Sequence, residues 1–273
     1  MSTENLPNLR ELYKRMDRSF LQSGLDLPAV QHTRRYYANP DTSPSPHRYV
    51  DFPAPQLQAL DVRLLAFLIA ENQQLADMAV SATKAIFEAL PAGMQVHMGQ
   101  PMDLHMTVFM TSHPFDVRRN PFTSPSGLPA EWSAAASQAN ADRERAAVQQ
   151  LIVNAHPPQL QVEQIVLANS GTLLLCFSDF TSHLQRLRAA LRQAFPGAPS
   201  KQSSICHVTL GRILSLQQLH PEQAASVHAR CQEWSCKLHG MRYNPTHVWH
   251  ILEETFTKVD GHRQKVIFGS KGP

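Results

Sequence analysis

Two stretches of the chain, DLHMTVFM and ICHVTLGR, each set a histidine, one intervening residue and a threonine inside an apolar run, at His105 with Thr107 and at His207 with Thr209. In an extended strand, residues i and i+2 point to the same face. His105, Thr107 and Phe109 then share one face, opposite Leu104, Met106, Val108 and Met110; His207, Thr209 and Gly211 likewise oppose Cys206, Val208 and Leu210. Each strand buries an apolar face and presents an imidazole beside a hydroxyl. Brought together across a cleft, two such faces hold what a phosphodiester reaction needs. One neutral imidazole takes a proton from the attacking hydroxyl or water, and the other, protonated, donates to the leaving oxygen. The threonine hydroxyls hydrogen-bond the non-bridging phosphate oxygens. The scheme requires no metal and no cofactor. A chain with 14 histidines supplies a His-x-Thr triplet or so by chance, so the weight rests on the strand context and on the presence of two copies.

The paired HMTVF and HVTLG strands resemble the signature of the 2H phosphoesterase superfamily, which includes RNA 2′,3′-cyclic phosphodiesterases, 2′-5′ RNA ligase-like proteins, 2′,5′-oligoadenylate phosphodiesterases and a U6 RNA-processing exonuclease. The resemblance spans about residues 92–270. It implies an α+β, bilobal fold of duplicated antiparallel sheets flanking a cleft, and metal-independent chemistry. His105 and His207 become the acid–base pair, and Thr107 and Thr209 the phosphate binders. The implied partner is a nucleotide or RNA end, with a 2′,3′-cyclic phosphate as the first candidate. The 102 residues that separate the motifs are more than expected of compact members, and the extra length falls in the loop 111–129. The residues leave open which imidazole is the base, with His207 preferred for a cyclic phosphate. Two alternatives stand beside this one: a nucleotide-binding or scaffold module with little turnover, and a 2′-5′ or 3′-end RNA phosphodiesterase using the same residues.

Other side chains are candidates for the same site. Phe109 shares the His105 face and is placed to stack on a base. Lys201, shortly before the second motif, and Arg118 and Arg119, in the loop after the first, are candidate phosphate contacts. His97 is placed at the cleft rim, and Tyr36 and Tyr37 as residues that close over the site. His228, Cys231, Cys236 and His239 suggest zinc ligands, but Cys231 and Cys236 are five residues apart on a helix, about 140° around its axis, and do not face one ion. Cys206 points away from His207 on a strand and reads as core rather than as a nucleophile.

Composition narrows the class. With 42% hydrophobic and 17% charged residues and a mean hydropathy of −0.29, the chain is that of an ordinary globular protein. A net charge of +3 gives no strong non-specific nucleic-acid footprint, so no DNA partner is expected. The N-terminus lacks the apolar core of a secretory signal, and no apolar run reaches the roughly 18 residues of a membrane span. Four cysteines without an export signal read as reduced thiols, and a cytoplasmic or nuclear location is expected. Oligomeric state is left open.

The elements expected to position these residues fall into two parts. Residues 1–90 read as a mainly helical N-terminal extension: a helix over 6–21, a proline-rich stretch over 34–53, and one long helix or two over 56–90, where apolar residues recur at helical spacing. Residues 91–273 read as the two-lobed domain. MQVHM and LHMTVFM are expected to form a hairpin, followed by an alanine-rich helix over 130–155. LQVEQIVLA and GTLLLCFSD then pair around Asn169 and Gly171. A helix follows, capped by Asp179 or Thr181 and stopped by Pro196 and Gly197. After the second His-x-Thr strand come a helix opened by Pro221 and two closing strands, THVWHILEETF and RQKVIFG. The order strand, helix, two strands thus occurs twice, the pattern of an internal duplication.

Overall fold

A computed structural model describes residues 9–51, 62–113, 121–122 and 134–269. In chain order the elements are helices α1 (Leu9–Ser23) and α2 (Leu27–Arg34), short strands β1 (Tyr37–Ala38) and β2 (Ser45–Pro46), strand β3 (Val62–Leu68), helix α3 (Gln73–Phe87), and strands β4 (Val96–Met98) and β5 (His105–Met110). Then follow α4 (Ala134–Val153), β6 (Leu160–Leu167), β7 (Thr172–Asp179), α5 (His183–Ala194), β8 (His207–Ile213), α6 (Pro221–Leu238), β9 (Arg242–Tyr243), β10 (His247–Glu253) and β11 (Arg263–Ile267). The fold is mixed α+β, and every strand pairing is antiparallel. No helix among the described residues is long and apolar enough to cross a membrane.

Local chemistry sets many of the boundaries. Asp26 accepts from the Ala29 N–H at 3.1 Å and opens α2, and Asn72 accepts from the Leu75 N–H at 3.1 Å and opens α3. Pro221 sits in the first turn of α6, where Gln223 and His220 close a reciprocal cap. The Asp179 carboxylate accepts from the Leu184 N–H at 2.8 Å and so caps α5 from the end of β7.

The strands form two main sheets. One has the order β11-β10-β3-β5, the other β4-β8-β7-β6-β9, and a small ladder joins β1 to β2. The His105 strand is the edge of the four-stranded sheet, and the His207 strand is interior to the five-stranded one. The two strands that follow the first motif, β6 and β7, pair with the second motif's strand. The two that follow the second, β10 and β11, join the first motif's sheet. Strands β5 and β8 lie against each other where the sheets meet. A large apolar core runs through both, from Phe67, Met106 and Phe109 to Leu175, Val208 and Leu210.

Two expectations are corrected here. Residues 56–90 are not one long helix: 62–68 are β3, paired on both sides by β5 and β10, and only 73–87 are helical, while 52–61 lie outside the described residues. All seven residues of β3 are buried, and a strand covered on both faces shows no apolar–polar alternation, so its sequence does not announce a strand. Residue 90 is therefore not where an extension ends, because 62–90 supply an internal strand and a helix of the sheet body. The hairpin between MQVHM and LHMTVFM also does not form. β4 pairs with β8, Met98 opposite Gly211, whereas β5 pairs with β3. Gly211 permits that approach, since a Cβ there would fall 2.6 Å from the His97 carbonyl oxygen. The β6–β7 pair, α5, α6 and the β10–β11 pair follow the sequence expectation.

Candidate active site

His105 and Thr107 from β5, and His207 and Thr209 from β8, line one cleft of about 210 Å³ between the two sheets. All four side chains are partly buried, with the alternate residues Met106 and Val208 in the core. Neither threonine hydroxyl hydrogen-bonds another described residue.

Each imidazole is held through Nδ1 by the segment just before its strand. His105 donates from Nδ1 to the carbonyl of Asp103, two residues back, at 2.7 Å. His207 places its Nδ1 3.5 Å from the Ser203 hydroxyl, which itself donates to the Ile205 carbonyl at 3.0 Å. The Asp103 carbonyl accepts only, and the Ser203 hydroxyl gives its own proton to Ile205, so each Nδ1 carries the proton and each Nε2 is left without one.

The electrostatics of the two differ. Burial pushes His207 down to about 4, and Arg188, Arg212 and His105 push in the same direction. Burial also lowers His105, but its carbonyl bond and the carboxylate of Asp103 oppose the shift. Arg188, on α5, is partly buried and reaches the backbone of the first motif strand and of the residues just before the second. Its Nε donates to the Val108 carbonyl at 3.0 Å, and its Nη2 to Thr107 at 3.0 Å and to Ile205 at 3.1 Å. The guanidinium thus ties the backbone of Thr107 to the Ile205 carbonyl, just before His207. Tyr13, from α1, places its hydroxyl 3.1 Å from the Cys206 N–H and so braces the start of β8.

A bulge in each strand decides what else faces the cleft. Pairing of β5 with β3 skips Val108, and pairing of β8 with β7 skips Leu210, in each case the third residue after the histidine. One extra residue reverses the facing of everything beyond it. Phe109, expected to stack on a base, is instead buried at 2% exposure against Phe195, and Met110 lines the cleft in its place. On β8 the same step turns Arg212 into the cleft, a residue that simple alternation assigns to the other face. Lys201 is a second correction: it is exposed in the loop before β8, outside the cleft lining, with its charge felt by His32. Arg118 and Arg119 lie outside the described residues.

His97, opposite Arg212 on β4, lines the cleft, as does Tyr37, whereas Tyr36 stacks on Phe256 at 4.1 Å behind it. Sequence reasoning passed over Arg188, Arg212 and Glu253. The first two lie on elements whose role depends on packing, and only the bulge register would have found Arg212. Glu253, at the end of β10, lines the cleft and accepts from the Tyr49 hydroxyl at 2.6 Å. Burial pushes its carboxyl up to about 8, so it is protonated at neutral pH. The supposed zinc set is dispersed: His228 bonds Asp17 at 3.0 Å, His239 bonds the Glu163 carbonyl, Cys231 is buried and Cys236 exposed.

No family model matches the chain, and no curated protein matches it. Among solved structures, it resembles the conserved protein of unknown function ATU0111 from Agrobacterium tumefaciens, with a TM-score of 0.52 at 17% identity over 76% of this chain and 86% of that one. TT0787 of Thermus thermophilus gives a TM-score of 0.43 at 11% identity over 75% of this chain and 97% of that one. The first likeness shows a shared α+β fold with antiparallel sheets, and that is the class of protein to which the chain is assigned.

Proposed function

We propose that the cleft hydrolyses a phosphodiester of a nucleotide or RNA end, most readily a 2′,3′-cyclic phosphate, and that the two sheets are the duplicated lobes of a 2H phosphoesterase. One observation carries this: two His-x-Thr strands from different sheets meet at one cleft with the same bulge three residues after the histidine. The exchange of β6–β7 and β10–β11 between sheets supports a duplicated origin, since each motif strand is completed by the pair that follows the other.

The surroundings divide the roles. His207, beside two arginines, is neutral at working pH and takes the proton from the attacking water through Nε2. His105, beside Asp103, takes up a proton more readily once a phosphate anion is bound, and donates it to the leaving oxygen. Thr107 and Thr209 hydrogen-bond the non-bridging oxygens, where charge accumulates during in-line attack. The reading is tested by incubating purified protein with the four nucleoside 2′,3′-cyclic phosphates in EDTA and separating the 2′- and 3′-monophosphate products. Turnover that disappears in His105→Ala and His207→Ala supports it. Absence of turnover by the wild type on all four ends the cyclic-phosphate reading, and oligonucleotides with 2′-5′ links or 3′ tails become the next substrates. Retained nucleotide affinity without turnover on any of them points to a binding module.

A further inference from the structure

One end of the cleft contains polar groups that the hydrolytic scheme does not use. Arg212 donates from Nη1 to the Thr172 hydroxyl at 3.0 Å, yet its Nε is buried without a hydrogen-bond partner. Tyr37, 3% exposed, also carries a buried hydroxyl without a partner; it lies beside Arg212 and Thr257 but completes a bond to neither. Thr257 lines the same end with a φ of 60°. A β-branched residue is rarely held in the left-handed region, and such strain collects at binding sites.

The N-terminal residues are there by construction. The β1–β2 ladder is laced to the loop after β10: the Phe256 N–H donates to His47 at 3.0 Å and the Tyr49 N–H to Glu254 at 2.9 Å. This places Tyr37 against the β4–β8 edge, tilted over His97 at 5.1 Å. The charge there is positive. Arg212 forms no ion pair with a described residue; burial lowers the His97 imidazole, and Arg212 and Lys258 add to that, while the Pro44 carbonyl and the Asp103 carboxylate oppose it. Two acids among the described residues line the cleft: the Asp103 carboxylate, which accepts from the Val259 N–H at 3.2 Å and acts on both His105 and His97, and Glu253, which burial holds protonated.

Buried donors left without acceptors are costly, and a cation flanked by them is a receptor for an anion. We infer that Arg212, Tyr37 and Thr257 form a second anion subsite, so that the preferred substrate is a nucleotide carrying a phosphate monoester or diphosphate in addition to the phosphodiester at the histidines. This deepens the phosphodiesterase reading and rests on it for the identity of the first group, but it is tested without turnover. Calorimetry of the full chain compares nucleoside 2′- and 3′-monophosphates with the matching 2′,5′- and 3′,5′-bisphosphates. The bisphosphates are expected to bind more tightly by on the order of 10- to 100-fold, the range for charge-assisted hydrogen bonds. That ratio is expected to collapse toward one in Arg212→Gln and to shrink in the milder Tyr37→Phe. Equal affinities in the wild type, or a ratio unchanged in both variants, overturn the proposal, as does failure of any of these ligands to bind. Loss of turnover with the ratio intact removes the hydrolytic reading and leaves the anion subsite standing.

Discussion

The two motif strands share a spacing and a bulge and differ in their neighbours. On β5, His105 lies at a sheet edge beside the Asp103 backbone and carboxylate, and the bulge delivers the neutral Met110 to the cleft. On β8, His207 is interior to its sheet, beside Arg188, and the bulge delivers Arg212. The same spacing and bulge therefore present two imidazoles, both lowered by burial, whose charged neighbours push their proton affinities in opposite directions. Pairs of titratable groups separated in this way divide into a base and an acid.

The largest expected effect comes from removing either imidazole. His105→Ala and His207→Ala should each lower turnover of a cyclic nucleotide by about 10²- to 10⁴-fold, the usual contribution of a general acid or base. If one strand dominates so far that the other's histidine is dispensable, the comparison breaks. Arg188→Met removes a positive charge from beside His207, which raises its proton affinity. The acidic limb of the rate–pH profile should move to higher pH, and Arg188→Lys should return it toward wild type. A fall in rate with the limb unmoved would show that Arg188 only holds the strands together.

Folding itself should record the asymmetry. Folding carries His207 from 6.5 to about 4, so between those values the unfolded chain binds a proton that the folded chain refuses. Its contribution to stability is present above 6.5 and is lost as pH falls toward 4. Thermal melts of His207→Ala should show a shallower acid loss than wild type, and equal slopes would contradict the assignment. The smallest effect is expected from Lys201→Ala, whose side chain is exposed and outside the cleft lining. Cyclic-nucleotide turnover should stay within about twofold of wild type, the scale of a solvated surface charge; a larger loss would place Lys201 on the substrate.

Much of the site was legible before the fold was known. Alternation alone puts His105 with Thr107 and His207 with Thr209, because residues i and i+2 on a strand share a face whatever the sheet. Turn and cap chemistry likewise marks the β6–β7 pair, α5 and α6, where Asp179, Pro221 and Gly171 act on residues a few positions away. The legibility stops where pairing is not local. β3 is covered on both faces and carries no alternation, so its apolar run passes for a helix. β4 pairs across more than a hundred residues with β8 because Gly211 admits it.

The sequence by itself determined the two histidine–threonine pairs and the face each motif presents, since side-chain direction over two residues is a property of the extended backbone. Only the tertiary structure decided which groups join them. The bulges at Val108 and Leu210 arise from pairing with β3 and β7, and they exchange Phe109 for Met110 and bring in Arg212. Burial and the neighbouring arginines, which depend on how α5 and both sheets pack, set the proton affinity of His207. A register shift or a desolvated charge depends on residues far away in the chain, and no local pattern encodes it.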